Sequence, residues 1–331
     1  MVMTPAAENR QRGAVLVVGG THGNERNGAW LLEAWRRGAC RLACHGLAVR
    51  AVIGNPDALA ANRRYLDHDL NRSFSPDRLA AGDTGDRETV RARQLLARHG
   101  PDGAEPALVA IDLHSTTAAM GNSLVVYGRR PADLALAAAV QQRLGLPVYL
   151  HEGDPAQTGY LCERWPCGLV IEVGPVGQGL LDGAIVRQTR LALEETLAVL
   201  AAAARRELRL PPQLVVHRHR CTVDLPRHGD GLPAAVLHPC RQGRDWQPIH
   251  SGDPLFAGPD GEVGGTDAGA PGLPQGMATA WPVFINEAAY EEKGIALALT
   301  QREVWPTASD WAEALAHLAQ RLERDQRGGP L

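Results

Sequence analysis

A histidine and a carboxylate stand three residues apart, directly after an apolar run and a pair of glycines. The run 14–18 predicts a buried strand, and His22 and Glu25 follow it. Imidazole and carboxylate both bind zinc, and a catalytic zinc site uses three protein ligands and leaves one position open. A second apolar run, 107–113, ends at His114. Because functional side chains gather at the carboxyl ends of parallel strands, this pattern predicts a zinc site built from the three residues.

Asp112 lies two residues before His114. In a strand this spacing puts both side chains on one face, so the Asp112 carboxylate is predicted to orient the imidazole from behind the metal. An aspartate satisfied by a neighbouring loop is the alternative. Taken alone, the pair His22 and Glu25 is typical of a protein surface. The glycine turn before this pair and the second strand end at His114 favour a metal site instead.

Glu172 stands at the end of a third apolar run, 168–173. A buried carboxylate is costly unless it has a partner or a task. Hydrolysis of a carbonyl compound at a metal needs a base that takes a proton from the attacking water, and Glu172 is the candidate for that base. A helix-capping or salt-bridged glutamate is the alternative.

Arginines and asparagines cluster in the segment 62–72. Arginine recognises carboxylates through its planar guanidinium group, and an amide beside it adds direction. We predict that Arg64 stabilises a developing oxyanion and that Asn71 and Arg72 bind a substrate carboxylate. A solvated charged loop is the alternative. The histidines between positions 217 and 250 share no spacing, so most are predicted to be surface or core residues.

Apolar runs and amphipathic stretches alternate from residue 14 to about residue 205. Such alternation predicts a mostly parallel sheet that is covered by helices on both faces. Strands are predicted near 14–18, 47–53, 107–113, 123–127, 147–150 and 168–173, and helices near 27–38, 87–98, 132–144 and 180–206. The segment 75–86 is rich in Pro, Asp and Gly and is predicted to be a loop.

The character of the chain changes at Leu210, where two prolines follow and helical periodicity ends. We therefore predict two domains: an α/β/α catalytic domain over 1–208 and a smaller β-rich domain with a terminal helix over 209–331. In the second domain, strands are predicted near 213–223, 233–238, 281–285 and 295–300, a flexible or lid-like loop over 257–276, and the helix over 307–327.

The composition is that of an ordinary globular protein, with 331 residues, 44% of them hydrophobic and 21% charged. A formal net charge of -3, without a basic patch, argues against a nucleic-acid partner or an anionic membrane. No apolar run approaches the roughly 20 residues of a membrane span, and the polar stretch 1–13 lacks the core of a signal peptide. The prediction is a cytoplasmic protein whose six cysteines are reduced.

Five blocks, in order along the chain, resemble the aspartoacylase family. They are GGTHGNE at 19–25, RYLDHDLNR at 64–72, DLHSTT at 112–117, IEVGP at 171–175 and NEAAYEEK at 286–293. That family belongs with the zinc-carboxypeptidase-like amidohydrolases, so the resemblance implies an α/β/α N-terminal domain followed by a small β-rich domain. More distant relatives share mainly the zinc ligands and the Asn-Arg pair, whereas the last block points to the aspartoacylases.

The resemblance also implies roles for the matching residues. His22, Glu25 and His114 would hold one zinc ion per subunit. Glu172 would be the general base and later the acid that protonates the departing amine. The substrate implied is a small N-acyl amino acid, and the assembly suggested is a homodimer.

The remaining matches concern substrate binding. Arg64 would polarise the scissile carbonyl and hold its oxyanion, and Asn71 and Arg72 would bind the α-carboxylate. Tyr290 would come from the β-rich domain, which in this family narrows the entrance and keeps out longer peptides.

One position departs from the family pattern. Aspartate-specific members carry an arginine upstream of the general base, where it binds the side-chain carboxylate of the substrate. In this chain Tyr160 falls near that position. Arg164 is the basic residue that could take the place of the family's arginine if the loop shifts. The stretch before Glu172 is also longer here, which leaves the preference for aspartate open.

The prediction is a zinc-dependent amidohydrolase that deacylates N-acyl amino acids, first of all N-acetyl-L-aspartate to acetate and L-aspartate. An aminoacylase for neutral or aromatic N-acyl amino acids keeps the chemistry and suits Tyr160. A succinylglutamate desuccinylase, a carboxypeptidase and a non-catalytic zinc-binding protein are less favoured. Structural zinc sites are usually closed and cysteine-rich, which argues against the last of these. Cobalt and manganese also suit this ligand set.

Overall fold

The computed structural model describes residues 12–82, 85–154, 157–259, 261–262, 273 and 277–324. The strands are β1 (Ala14–Gly19), β2 (Val49–Ile53), β3 (Ala107–Ser115), β4 (Gly121–Tyr127), β5 (Val148–His151), β6 (Cys167–Gly174), β7 (Gln213–Asp224), β8 (Val236–Leu237), β9 (Ile249–His250), β10 (Phe256–Gly258), β11 (Gly261–Glu262), β12 (Thr279–Val283) and β13 (Ile295–Pro306). The α-helices are α1 (Arg26–Arg36), α2 (Pro56–Ala60), α3 (Pro76–Ala80), α4 (Arg87–His99), α5 (Pro131–Leu144), α6 (Gly183–Ala204) and α7 (Ser309–Ala319).

Ten strands form one sheet, in the order β2-β1-β3-β6-β4-β5-β7-β13-β12-β9. The strands β2, β1, β3 and β6 are parallel to one another, and so are β4, β5 and β7. The pairs β4–β6, β7–β13, β13–β12 and β12–β9 are antiparallel. Because β1, β3 and β6 are parallel neighbours, their carboxyl ends lie side by side at one edge of the sheet, where ligands bind in open α/β folds.

Alternating side chains of the strands form one core on each face of the α/β part of the sheet, and a third core lies in the β-rich C-terminal region. Val15 belongs to the core that α1, α5, α6 and α7 cover, whereas Leu16 and Ala110 belong to the core on the side of α4. By the same alternation His114 lies on the α4 side. The predicted α/β fold, with a mostly parallel sheet between helices, is confirmed.

The predicted strands and helices between residues 14 and 206 are all present, with ends that differ by a few residues. The prediction of a loop over 75–86 is wrong in part, because α3 forms within it. The side chain of Ser75 accepts a hydrogen bond from the backbone N–H of Arg78, and Pro76 fills the first helical position, so the helix has a favourable start. Most of the predicted lid-like loop 257–276 lies outside the described residues.

The β-rich C-terminal region continues the central sheet. Strand β7 pairs in parallel with β5 and antiparallel with β13, so strands from both predicted domains share one sheet. Helix α7 packs against α5 and α6. The domain boundary at 208/209 falls between α6 and β7 and stays a prediction.

Two further observations concern the chain as a whole. Within the part of the chain that the structure describes, no helix combines the length and the apolar character that a bilayer span requires. All six cysteines are free thiols.

A buried carboxylate holds the loop that follows α2. Glu88, in the first turn of α4, accepts hydrogen bonds from the backbone N–H groups of Leu66, Asp67 and His68 and from the side-chain amide of Asn55. This loop carries the arginines that are predicted to contact the substrate, so Glu88 sets their position relative to the sheet.

We expect Glu88→Ala to lower the free energy of unfolding by about 3 kcal/mol or more, because three backbone N–H groups lose their acceptor. The measurement is urea denaturation. The matched control is Glu207→Ala, which removes an exposed partner of Arg205 and should change the stability by less than about 0.5 kcal/mol. Equal losses in the two variants would contradict the structural role of Glu88.

Candidate active site

Two glycines shape the turn that brings His22 to the end of β1. Gly20 has a φ of 69°, a conformation that L side chains rarely adopt, and here the chain turns sharply. Gly23 passes so close to α2 that a β-carbon there would lie 2.0 Å from the carbonyl carbon of Ala58. Helix α1 begins directly after Glu25, so both potential ligands are held between a strand end and a helix N-terminus.

The carboxylate of Glu25 joins the two histidines. Its Oε1 lies 2.7 Å from Nδ1 of His22, and its Oε2 lies 2.8 Å from Nδ1 of His114. The backbone N–H of Ser115 also donates to Oε2, at 3.1 Å, and Arg64 donates to Oε1, at 3.2 Å. Burial alone raises the pKa of Glu25, but the charges of His22 and His114 outweigh burial and hold this pKa well below its usual range.

A further carboxylate stands behind each imidazole. Nε2 of His22 lies 3.0 Å from Oδ1 of Asp69, and Nε2 of His114 lies 2.8 Å from Oδ2 of Asp112. Thr21 donates to the other oxygen of Asp112 at 2.7 Å. These contacts fix both rings with Nδ1 toward the shared carboxylate. The structure places Asp112 where strand alternation predicts it, whereas the contact of Asp69 is missed from the sequence because it joins two separate loops.

His22, Glu25 and His114 form a cluster that suits one metal ion. Their ligand atoms lie within 4.8 Å of one another, and all three side chains are buried. Two imidazoles and a carboxylate are a known catalytic zinc set, and ligating histidines usually contact a carboxylate through the second ring nitrogen. Both features are present here, so the residues fit zinc.

Glu172 lies beside this cluster. It is the register partner of His114 across β3 and β6, and both residues line one cavity. Burial is the largest cause that raises the pKa of Glu172 well above its usual range. The charges of Glu25 and Glu287 raise this pKa further. The charges of His114 and Arg64 lower it, and each of these effects is smaller than that of burial. A carboxyl group with a raised pKa is a stronger base than an ordinary glutamate and is suited to accept a proton.

Three polar residues from the loop after α2 line the same cavity. The guanidinium group of Arg64 donates a hydrogen bond to Glu25 at 3.2 Å and another to Asp69 at 3.1 Å. Asn71 is buried, and the Nε atom of Arg72 is buried without a hydrogen-bond partner among the described residues. Leaving a buried N–H group unpaired costs about 1–3 kcal/mol, so this donor is suited to a ligand that brings an acceptor.

One part of the cavity wall is aromatic and uncharged. It consists of Tyr127, Tyr149, His151, Tyr160, Phe284 and Tyr290. Burial lowers the pKa of His151 to about 4, and the charges of His219 and Arg72 add to the effect, so the imidazole is neutral at pH 7. His151 is not among the site residues predicted from the sequence, although it ends β5 and therefore stands at a strand end like His114.

Glu287 attaches the β-rich region to the end of β3. Its carboxylate accepts hydrogen bonds from the backbone N–H of Thr117, at 2.8 Å, and from the hydroxyl of Thr116. The residue also caps the 3₁₀ helix Ala288–Lys293, which places Tyr290 in the cavity wall. The sequence offers no local signal for this attachment, because the contact joins segments about 170 residues apart.

The structure does not bring Arg164 to the cavity. The residue ends the 3₁₀ helix Leu161–Arg164, in which Leu161 and Cys162 form the buried face, and Arg164 itself is exposed. The expectation that it replaces an arginine in the substrate site is wrong for this geometry. Tyr160, in contrast, lines the cavity and is 5% exposed.

Comparison with known proteins gives a consistent result. A family model described as the succinylglutamate desuccinylase/aspartoacylase catalytic domain matches residues 11–200, and one described as the AstE/AspA barrel-sandwich hybrid domain matches residues 212–302. A protein named "probable aspartoacylase" from Parasynechococcus marenigrum (strain WH8102) is 59% identical over 92% of this chain and 98% of its own length. A second protein with this name, from Prochlorococcus marinus (strain MIT 9313), is 56% identical over 92% of this chain and 97% of its own length. The crystal structure of murine aminoacylase 3 is similar with a TM-score of 0.77 and 31% identity, over 90% of this chain and 97% of that one.

We expect Asp69→Asn to weaken zinc binding roughly 10- to 100-fold, because the imidazole of His22 loses the carboxylate that orients it. The measurement is competition with a chromogenic zinc chelator. The matched control is Asp67→Asn, an exposed aspartate in the same loop that pairs with Arg87 instead. Zinc affinity that is unchanged in the Asp69 variant would contradict the orienting role.

Proposed function

We propose that this chain, which belongs to the succinylglutamate desuccinylase/aspartoacylase family, is a zinc-dependent enzyme that removes the acyl group from an N-acyl amino acid. One observation carries the proposal. Glu172 shares a cavity with the cluster of His22, Glu25 and His114 and with Arg72, whose buried Nε lacks a partner among the described residues. Hydrolysis of such a substrate needs a base, a metal site and a group that binds a carboxylate.

His22, Glu25 and His114 would hold the zinc ion, which when bound acidifies water and polarises a carbonyl group. Glu172 accepts the proton of the water that attacks the carbonyl carbon, as the new C–O bond forms. When the C–N bond breaks, Glu172 returns this proton to the departing nitrogen. The products are a carboxylate and the free amino acid.

The arginines stabilise charge at opposite ends of the substrate. Arg64 is held by two carboxylates and supplies positive charge for the oxyanion that develops on the carbonyl oxygen. Asn71 and Arg72 bind the α-carboxylate, for which the Nε–H of Arg72, buried without a partner in the described part of the chain, is one donor.

Two classes of N-acyl amino acid compete as substrate. N-acetyl-L-aspartate is the first candidate, because relatives that cover nearly the whole chain are named probable aspartoacylases. Neutral or aromatic N-acyl amino acids are the second, and a specific observation favours them. The arginines among the described lining residues are Arg64 and Arg72, which are already assigned, and the uncharged side chains of Tyr160 and His151 also line the cavity.

A peptidase, a desuccinylase and a structural zinc protein agree less well with the cavity. Its volume is about 90 Å³, and Tyr290 lies in its wall, which favours a small acyl amino acid over an extended peptide. A succinyl group would need another cation for its free carboxylate. A purely structural zinc site would not need Glu172 beside the ligands. The cytoplasmic location and the homodimer stay predictions from the sequence.

We expect the zinc-loaded protein to hydrolyse at least one member of a panel of N-acetyl derivatives of Asp, Glu, Met, Phe and Tyr, measured as release of free amine. Preference for the aspartate derivative would support the first candidate, and preference for Met, Phe or Tyr the second. Removal of the metal with a chelator should abolish the activity, and zinc should restore it. Metal-loaded protein that hydrolyses none of these compounds would contradict the proposed deacetylation.

We expect Glu172→Gln to lower kcat roughly 100- to 10,000-fold, because the amide cannot accept the proton of the attacking water. The zinc content, measured by atomic absorption, should stay at the wild-type value. Glu105→Gln, which changes a surface residue paired with Arg98, is the matched control and should leave both quantities unchanged. Retained activity in the Glu172 variant would assign the base to another group.

A further inference from the structure

Arg72 lies against the ring of Tyr160. Its guanidinium carbon is 4.2 Å from the centroid of the ring. Tyr127 is stacked on the same ring, with the centroids 3.8 Å apart and an angle of 18° between the planes. Because both neighbours are this close to one ring, they lie on its opposite faces. The result is a stack of three layers, in which the buried Tyr160 is the middle one.

The segment around Tyr160 also holds the polar atoms of both proposed carboxylate-binding residues. The side-chain oxygen of Gln157 accepts a hydrogen bond from Arg72 at 3.1 Å. The backbone N–H of Leu161 donates to Oδ1 of Asn71 at 2.8 Å. Arg72 and Asn71 therefore take their orientation from one short piece of chain that is distant in sequence.

These contacts occupy some polar atoms of Arg72 and Asn71 and leave other N–H groups available to a ligand. Arg72 uses NH2 for Gln157 and NH1 for the backbone oxygen of Asn71, and its buried Nε has no partner among the described residues. On Asn71 the oxygen is occupied by Leu161, which turns the amide nitrogen away from that contact. The buried Nε–H belongs to the guanidinium group whose central carbon lies 4.2 Å from the centroid of the Tyr160 ring.

We propose that Tyr160 is a positioning residue, whose ring holds the guanidinium plane of Arg72 in the orientation that binds the α-carboxylate of the substrate. The attraction between a guanidinium group and an aromatic face becomes stronger as water is removed, and here Tyr160 is buried and Arg72 is partly buried. A guanidinium group that is oriented before binding loses less conformational entropy when the carboxylate arrives. This inference rests on the proposed function, since it concerns how the same site recognises the amino-acid half.

The contact predicts a specific kinetic signature. Tyr160→Leu removes the ring, and KM for the preferred substrate should rise roughly tenfold while kcat changes less than about threefold, because the lost interaction acts on binding in ground state and transition state alike. Tyr160→Phe keeps the ring and loses only the hydroxyl that contacts His151 at 3.1 Å. Its KM should stay within about threefold of wild type.

A second measurement ties the effect to the carboxylate. In the inactive Glu172→Gln background, calorimetry compares the Kd of the substrate with the Kd of its α-carboxamide. Tyr160→Leu should weaken binding of the carboxylate roughly tenfold and leave binding of the carboxamide nearly unchanged. If the leucine variant does not fold, Tyr160→Met serves in its place, because the longer and more flexible methionine side chain adapts to an irregular gap without an aromatic face.

Phe74→Leu is the matched control. Phe74 is a buried aromatic residue whose backbone N–H donates to Gly159, next to Tyr160, but it does not line the cavity. Its replacement should lower thermal stability without a loss of binding that depends on the carboxylate. Equal losses for carboxylate and carboxamide, or a phenylalanine variant at position 160 as weak as the leucine variant, would overturn the positioning role. A wild-type protein without hydrolase activity would overturn the proposed function itself.

Discussion

The buried carboxylate of Glu25 is the contact on which the site depends. Groups from three separate parts of the chain meet at its two oxygens. They are the imidazole of His22 from the turn after β1, the imidazole of His114 and the backbone N–H of Ser115 from the end of β3, and the guanidinium of Arg64 from the loop after α2. A buried carboxylate with so many donors is held in one position, and it holds them in turn. The arrangement is costly to bury unless all donors are present, so the three segments are positioned together.

The part of the site that can be predicted from the sequence is the part that the sheet itself creates. His114 and Glu172 each end an apolar run, and parallel strands bring such ends together whatever the loops do. Their pairing across β3 and β6 follows from this rule. The alternation of strands and helices predicts the fold for the same reason, since each element buries its own apolar face.

The remainder depends on contacts between distant segments, which no local pattern reports. Glu287 contacts the threonines after β3 across about 170 residues of sequence. The contact of His22 with Asp69 joins two loops that are 47 residues apart in the sequence. The prediction for Arg164 is wrong because the 3₁₀ helix Leu161–Arg164 buries Leu161 and Cys162 and leaves Arg164 exposed to solvent. The short helix α3 forms although the residues around it favour a loop, because the side chain of Ser75 caps its N-terminus.

The pairing of β5 with β7 bears on how such a chain can change over evolutionary time. A break near residue 208 would leave β5 as an open sheet edge and would uncover the surfaces of α5 and α6 that α7 covers. A foreign module joined at this point would have to supply a strand in register with β5 and a helix of matching shape. Shuffling of modules at this position is therefore disfavoured, because the regions before and after residue 208 complete each other's packing.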